Sequence, residues 1–359
     1  MYRVCVLLLL LLVSVSPAEG ADPNSESRLT IAFVLPLSGE WAFLGNGIRD
    51  AALLAQEDLK RKQFPVELVF EDGRGDLAIS ATAARRLLSH GKTDALISII
   101  SGVGKLLKPM AEKARVINIG ICCDTEVADG QYSFINYLTA EQGVTRYIEH
   151  FSTEVGHGKS VGLYVMNESG FEKIVRELQL RVPDSMKITF VEHFDKGTTD
   201  FRPVLLRHRK INPDAFLVLG LSPEIELIAR QARSIGISTP LTSIEGFGLS
   251  SDKEVFEGSW FIDSAALNTE FHRRFYERYG REVTPGVGHS YDSVLLLAAA
   301  FGFERADSRV EASAAHQYFR QISGVEGVTG KLSVRPDGVI WSDASVKKID
   351  NERAVLAAR

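Results

Sequence analysis

Ser101-Gly102-Val103-Gly104 and Glu245-Gly246-Phe247-Gly248 are two runs whose residue types suit the capture of a charged solute. The first lies between an apolar strand and a helix. Backbone amides at a helix start point toward an anion, and Ser101 adds a hydroxyl donor. A flexible connector with an N-cap serine fits the same letters. Glu245 follows an apolar strand, and its glycines let the backbone pass close to another surface. A carboxylate there either accepts from an ammonium group or sits in a solvated turn. Cys122 and Cys123 are adjacent. Neighbouring cysteines bridge only through a strained ring, because a disulfide wants Cα atoms about 5.5 Å apart. They suit small buried hydrophobes, and without Cys-x-x-Cys spacing or a nearby histidine they make a poor soft-metal site. A phosphate loop would need Gly at position 99 and Ser or Thr at 106, where this chain has Ile99 and Leu106. There is no His-Glu-x-x-His, and the eight histidines are scattered. No catalytic residue, metal site or cofactor is therefore predicted, and the chain reads as a binder rather than an enzyme.

The elements that must position these residues alternate strand and helix. Thr30 to Leu35 is nearly continuous apolar sequence, as expected of a parallel strand buried on both faces. Gly45 to Lys62 carries Ile48, Ala51, Ala52, Ala55 and Leu59 at helical spacing. The spacing then predicts a strand over 66–70, a helix over 78–89, a strand over 95–100, a helix over 105–113 and a strand over 116–121. A second series has strands over 161–166, 188–194, 215–219 and 241–244, with helices over 145–154, 171–180, 201–210 and 224–234 between them. Ser259 to Ile262 adds a further strand, and helices over 269–279 and 291–305 resume the style of the first series. Strict alternation implies right-handed crossovers and doubly wound parallel sheets. No linker rich in Pro, Gly or Ser separates the two series, so several chain crossings are expected.

The N-terminus reads as a secretory leader over 1–20. Arg3 starts it, Val4 to Val15 is its apolar core, and Ala18 and Gly20 precede a cut before Ala21. Its apolar run is shorter than the roughly 20 residues that span a bilayer. The expected product is exported to the periplasm. A formal net charge of -5 and the lack of a basic stripe argue against nucleic acid and anionic membranes. Arg74-Gly75-Asp76 and Asn167-Glu168-Ser169 are read as accidental adhesion and glycosylation motifs.

In order and spacing, several motifs resemble the type I periplasmic solute-binding proteins, in particular the family of the leucine/isoleucine/valine-binding protein. They are Leu35-Pro36-Leu37-Ser38-Gly39 with Gly45 and Gly47, Glu71-Asp72, Thr199-Asp200-Phe201, and Pro213-Asp214. The run continues with Pro223-Glu224, Gln231 to Gly236, Glu245 to Gly248, Tyr291-Asp292 and Gly327 to Gly330. The resemblance implies a Venus-flytrap fold with two doubly wound lobes joined by three crossings. Lobe I is expected over 28–139 plus 266–327, and lobe II over 140–265 plus 328–359. It also implies that Ser101 and Gly102 hold the carboxylate of a bound amino acid and that Glu245 holds its ammonium. Phe171 falls where relatives stack an aromatic on the ligand. Trp41 and Phe43 lie in the first strand-to-helix loop, where an aromatic lines an apolar pocket or equally covers the lobe's own core.

Two places depart from the family. Gly120-Ile121-Cys122-Cys123 stands where a segment ending in Thr or Ser is usual, so Cys122 replaces a hydroxyl with a weak thiol donor. Leu221-Ser222 stands where some relatives have tyrosines, which implies an altered pocket around Ser222. The expected function is capture of an amino acid or related small carboxylate by a monomer that delivers it to an ABC transporter permease in the inner membrane. A ligand-sensing module for a membrane receptor and a binder of a non-amino-acid carboxylate are the alternatives.

Overall fold

The structure, a computed structural model, describes residues 29–89, 91–154, 159–264, 267–302 and 312–357. The predicted leader lies outside the described residues. In chain order the strands of the first sheet are β1 (Leu29–Leu35), β2 (Val66–Asp72), β3 (Ala95–Ile99), β4 (Ile117–Ile121) and β5 (Ser133–Ile135). The helices beside them are α1 (Ala42–Arg61), α2 (Leu77–Ser89) and α3 (Ser101–Ala114). The chain crosses into α4 (Ala140–Glu154) and then runs through β6 (Ser160–Met166), α5 (Ser169–Arg181), β7 (Lys187–Phe194), α6 (Arg202–His208), β8 (Ala215–Leu219), α7 (Glu224–Ser234), β9 (Leu241–Ile244) and β10 (Trp260–Ser264). It returns as α8 (Thr269–Tyr279), α9 (Val287–Ala300), α10 (Ala312–Phe319) and the short strands β11 (Val325–Gly327), β12 (Gly330–Val334) and β13 (Ile340–Trp341). It ends with β14 (Ala344–Asp350) and β15 (Arg353–Leu356).

The first sheet has the order β2-β1-β3-β4-β5, and the second β15-β14-β10-β9-β8-β6-β7. Their parallel parts share one winding, with the strand order reversing between β1 and β3 and again between β6 and β8. Burial explains why the strands were legible. Every residue of β3, β4 and β8 is buried, whereas the edge strands β2 and β7 are mostly half-buried. Both lobes use the same pin at the start of the strand where the order reverses. Asp94, before β3, accepts from the Thr30 amide at 2.8 Å, and Asp214, before β8, accepts from the Lys159 and Ser160 amides at 2.9 and 2.8 Å.

Three of the motifs behind the family resemblance have visible structural jobs. Asp72 accepts from the Leu37 and Ser38 amides at 2.9 and 3.3 Å, fixing the turn after β1. A side chain at Gly45 would stand 2.1 Å from the Pro36 carbonyl oxygen, so that glycine lets α1 fold back onto the turn. Asp292 in α9 accepts from the Val328 and Thr329 amides at 2.8 and 3.0 Å and from the Thr329 hydroxyl at 2.6 Å, which ties Tyr291-Asp292 to Gly327-Gly330.

The chain passes between the lobes at 136–139, after β10 and at 341–344. The last passage comes later than the expected 328, because β12 and β13 stay with the first lobe. Ile135 forms a bridge with Val339, and the Val334 amide donates to the Ile322 carbonyl at 2.9 Å. Thr139 and Gln142 form a reciprocal capping box at the start of α4, each amide donating to the other's side chain at 3.1 Å. The Gln142 amide group also donates to the Ser342 carbonyl at 2.6 Å, joining the first and third passages. The antiparallel extension β14–β15 had no counterpart in the sequence reading. β14 is half-exposed and β15 exposed throughout, and neither carries a long apolar run.

Candidate functional site

Both sheets present the carboxyl ends of their strands to one interlobe cavity of about 60 Å³, the position at which open α/β sheets take ligands. The first lobe contributes Leu44 from α1, Ile99 to Ser101 after β3, Ile121 to Cys123 after β4, and Tyr137 after β5. The second contributes Glu168, Gly170 and Phe171 after β6, Leu221 after β8, and Glu245 and Leu249 after β9. Pro285 and Gly286, ahead of α9, close the floor.

Two non-glycine residues at facing strand ends hold left-handed backbone. Ile100 has φ 78° and Glu245 has φ 69°. Such conformations cost about 1–3 kcal/mol each and gather where surrounding structure fixes a functional side chain. At Ile100 the turn starts α3 with Ser101 and Gly102 already in its first turn. The glycine run predicted as a loop is therefore helical, and its amides still point outward from the helix start.

Glu245 is 7 % exposed, and its Oε1 finds no hydrogen-bond partner. Burial first, and then the charges of Asp263 and Glu168, push its carboxyl well above the usual range. Glu168, missed in the sequence reading except as part of a glycosylation-like triplet, is the N-cap of α5. Its Oε2 accepts from the Gly170 amide at 2.6 Å, and its Oε1 reaches across the cleft to accept from the Gly102 amide at 3.2 Å. Burial raises its carboxyl despite these bonds. Its signal in the sequence was an acidic residue three positions before a predicted helix.

Ser101, Ile121, Cys122, Phe171 and Glu245 are thus brought together on one cavity. Gly102 stands behind the Glu168 carboxylate. Trp41 and Ser222 are not on the lining. Trp41 is buried at the rim, with the Lys196 ammonium of the second lobe 4.0 Å above its ring. The Ser222 hydroxyl bonds to Glu226 and accepts from the Ser251 amide at 2.9 Å, facing away from the cleft, while its neighbour Leu221 takes the lining position. Both thiols lie near the Ser101 hydroxyl, and Cys123 is the one that also engages the second lobe. Cys123 Sγ is 3.9 Å from the Ser101 hydroxyl and donates to the Gly170 carbonyl at 3.6 Å, whereas Cys122 packs with Val127, Ile135 and Val339. Burial drives both thiols well above their ordinary range. Tyr137, also missed, offers a buried hydroxyl without a partner.

Several bonds draw the lobes together around the cavity. Ser169 donates to Asp124 at 3.2 Å, Lys196 pairs with Glu40 at 3.3 Å, and Arg176 lies 3.7 Å from Glu126. Gly170 lets the contact close, since a side chain there would stand 2.7 Å from the Ser101 hydroxyl and 3.1 Å from Cys123 Sγ.

A larger cavity of about 390 Å³ opens on the side of the interlobe passages and shares Pro285 and Gly286 with the first. Its wall mixes Lys253, Lys347 and Arg353 with Asp263, Glu282 and Glu352, and Lys347 pairs with Asp263 at 2.8 Å. The smaller cavity is the candidate site because strand ends of both lobes and the unpartnered Oε1 of Glu245 converge there. A Gly-x-Ser-x-Gly run at 158–162 is no nucleophile elbow. Ser160 opens β6 at the opposite end of the sheet, and its hydroxyl donates to Asp214 at 2.8 Å. Among the described residues, no group of three His, Cys, Asp or Glu side chains is placed to hold a metal, and no helix is long and apolar enough to cross a membrane.

The sequence profile of a family described as periplasmic binding protein matches residues 28–354. No curated protein matches the chain. Among solved structures, a leucine-binding protein LivK from Thermotoga maritima superposes with a TM-score of 0.81 at 22% identity, covering 92% of this chain and 98% of that one. The branched-chain amino acid transporter substrate-binding protein LivJ from Streptococcus pneumoniae, in complex with isoleucine, gives 0.79 at 24% identity, with 91% and 97% covered. An ABC transporter solute-binding protein from R. palustris, in complex with benzoate, gives 0.78 at 14% identity, with 92% and 95% covered.

Proposed function

The chain belongs to the periplasmic binding protein family, and from that premise we propose that it captures an amino acid, or a close relative that keeps the ammonium group, and delivers it to the permease of an ABC importer. The observation that carries this reading is the buried, unpartnered Oε1 of Glu245 in a cavity walled by the strand ends of both lobes. A buried carboxylate oxygen left without a partner is costly, and a solute ammonium supplies the missing charge-assisted bond, worth about 1.5–3 kcal/mol. Leu44, Ile121, Phe171, Leu221 and Leu249 receive an apolar side chain.

The lobes move as bodies about the three passages, and solute shifts the balance toward the closed arrangement. Micromolar affinity corresponds to roughly 8 kcal/mol, within reach of one desolvated charge pair and a small apolar burial. The protein works outside the cytoplasmic membrane as a monomer, consistent with the leader read at 1–20.

A thermal-shift panel of the standard amino acids, their amides and small amines tests the reading. A solute at 100 times its dissociation constant stabilises by about 2.7 kcal/mol. The expected result is a shift with a small subset of ammonium-bearing compounds, and mass spectrometry of the eluted solute should return it chemically unchanged. A panel in which only compounds without an amine respond removes Glu245 from the site and with it this reading.

A further inference from the structure

The interlobe cavity is lined by two buried carboxylates and by no lysine or arginine. The two carboxylates are differently engaged. Glu245 keeps one oxygen unpartnered, whereas Glu168 spends one oxygen on Gly170 and the other on Gly102 across the cleft. Gly102 lies in the first turn of α3, so its amide is one a solute carboxylate would need at that helix start. A side-chain donor there, the Ser101 hydroxyl, faces Cys123 Sγ at 3.9 Å, and the Gly170 backbone fills the space in front of it. A carboxylate brought to this end meets the carboxylate of Glu168 where the Gly102 amide would otherwise receive it. It also adds a third negative charge to a poorly solvated space, with no cation on the lining to offset it.

We propose that, within the solute class read above, the cleft selects a small primary ammonium with an apolar tail and no free carboxylate. Glu168 takes the place of a solute carboxylate at the start of α3, and Glu245 holds the ammonium. The inference rests on the reading of the cleft as a solute site and narrows its ligand. A monocation balances the charge of Glu245, where a zwitterion leaves the excess acid in place. The side chains of Leu44, Ile121, Phe171 and Leu221 then cover the tail.

Leucine and 3-methylbutylamine share a side chain and an amine and differ by the carboxylate alone, so titration calorimetry with both tests the proposal directly. The amine is expected to bind at least about tenfold more tightly. Leucine binding as tightly as the amine, or more tightly, overturns the inference and leaves the solute-binding reading standing. Heat from neither also overturns it, and the thermal-shift panel then decides separately whether any ammonium-bearing solute is taken.

Glu168→Ala frees the Gly102 amide and removes one negative charge, so the affinity ratio should move toward leucine by about tenfold or more. Glu168→Gln keeps a carbonyl acceptor in place and should move the ratio in the same direction by less. A residue that only braced the lobes would weaken both compounds equally, and an unchanged ratio in either folded variant sinks the proposal.

Discussion

Glu168 and Glu245 stand at corresponding places in one lobe, each just past the end of a parallel strand, yet they are built for different tasks. Glu168 caps its own helix and reaches the opposite lobe, with a backbone amide on each oxygen. Glu245 sits on a left-handed turn with one oxygen bare. The first is a strut whose bonds are completed by the protein. The second is a charge whose partner must arrive from outside. Burial raises both carboxyls, so burial alone does not mark a binding residue; a bare oxygen on a residue that lines the interlobe cavity does.

The largest effect that separates the two belongs to Glu245→Gln. Removing one partner of a buried charge pair costs roughly 3–5 kcal/mol, so solute affinity should fall at least a hundredfold by calorimetry. The melting temperature of the unliganded protein should hold or rise, because the bare oxygen no longer belongs to a charge. Equal affinity in both proteins would remove Glu245 from the comparison.

Gly170→Ala attacks the strut. The new methyl group is forced against the Ser101 hydroxyl and the Glu168 carboxylate. Overpacking of this kind costs about 1–3 kcal/mol, and here it falls on lobe closure. Weaker solute binding and a larger radius of gyration by small-angle scattering are expected, with little change in helix content. A closed, fully active variant would show that the lobes need not meet at Gly170.

A pH series gives a slope rather than a step. The carboxyl of Glu245 is raised above its ordinary value of 4.5, with Asp263, Glu168, Tyr137 and Cys123 as its titratable neighbours. The folded state therefore holds the proton more tightly than the unfolded chain. The corresponding stability is fully present below about 4.5 and is lost as pH rises through the folded-state value. Unfolding free energy of wild type relative to Glu245→Gln should therefore decline with rising pH above that point. A difference that stays flat contradicts the burial of a titrating carboxylate. Solute binding should show the opposite trend, since the charged carboxylate is the form that holds an ammonium.

The smallest effect is at the rim. Lys196 lies over Trp41 and pairs with Glu40, but the two charged side chains are 42% and 54% exposed. Exposed pairs contribute about 0.2–1 kcal/mol and are screened by salt. Lys196→Ala should lower affinity by a few-fold at most, less at high ionic strength. A loss approaching that of Glu245→Gln would place the recognition at the rim instead of the cavity.

Much of the fold was legible because parallel strands buried on both faces write themselves as short apolar runs. The strands at 215–219 and 241–244 and the helices at 224–234 and 269–279 coincide with the sequence reading. Half-exposed and exposed antiparallel strands leave no such signature, and β14 and β15 were missed. In the site, strand ends pointed to Ser101, Ile121, Cys122, Phe171 and Glu245, and these line one cavity. Trp41 and Ser222 lie off that lining, because a position in a loop says nothing about which way its side chain turns.

The amino-acid sequence by itself determined two wound α/β lobes, through apolar periodicity that each segment carries locally. Tertiary structure alone decided that Glu168 occupies the amide of Gly102, that Cys123 meets the Gly170 carbonyl across the cleft, and that Tyr137 joins the wall. Those pairings link residues far apart in the chain and depend on how closely the lobes approach, a distance that no local pattern encodes.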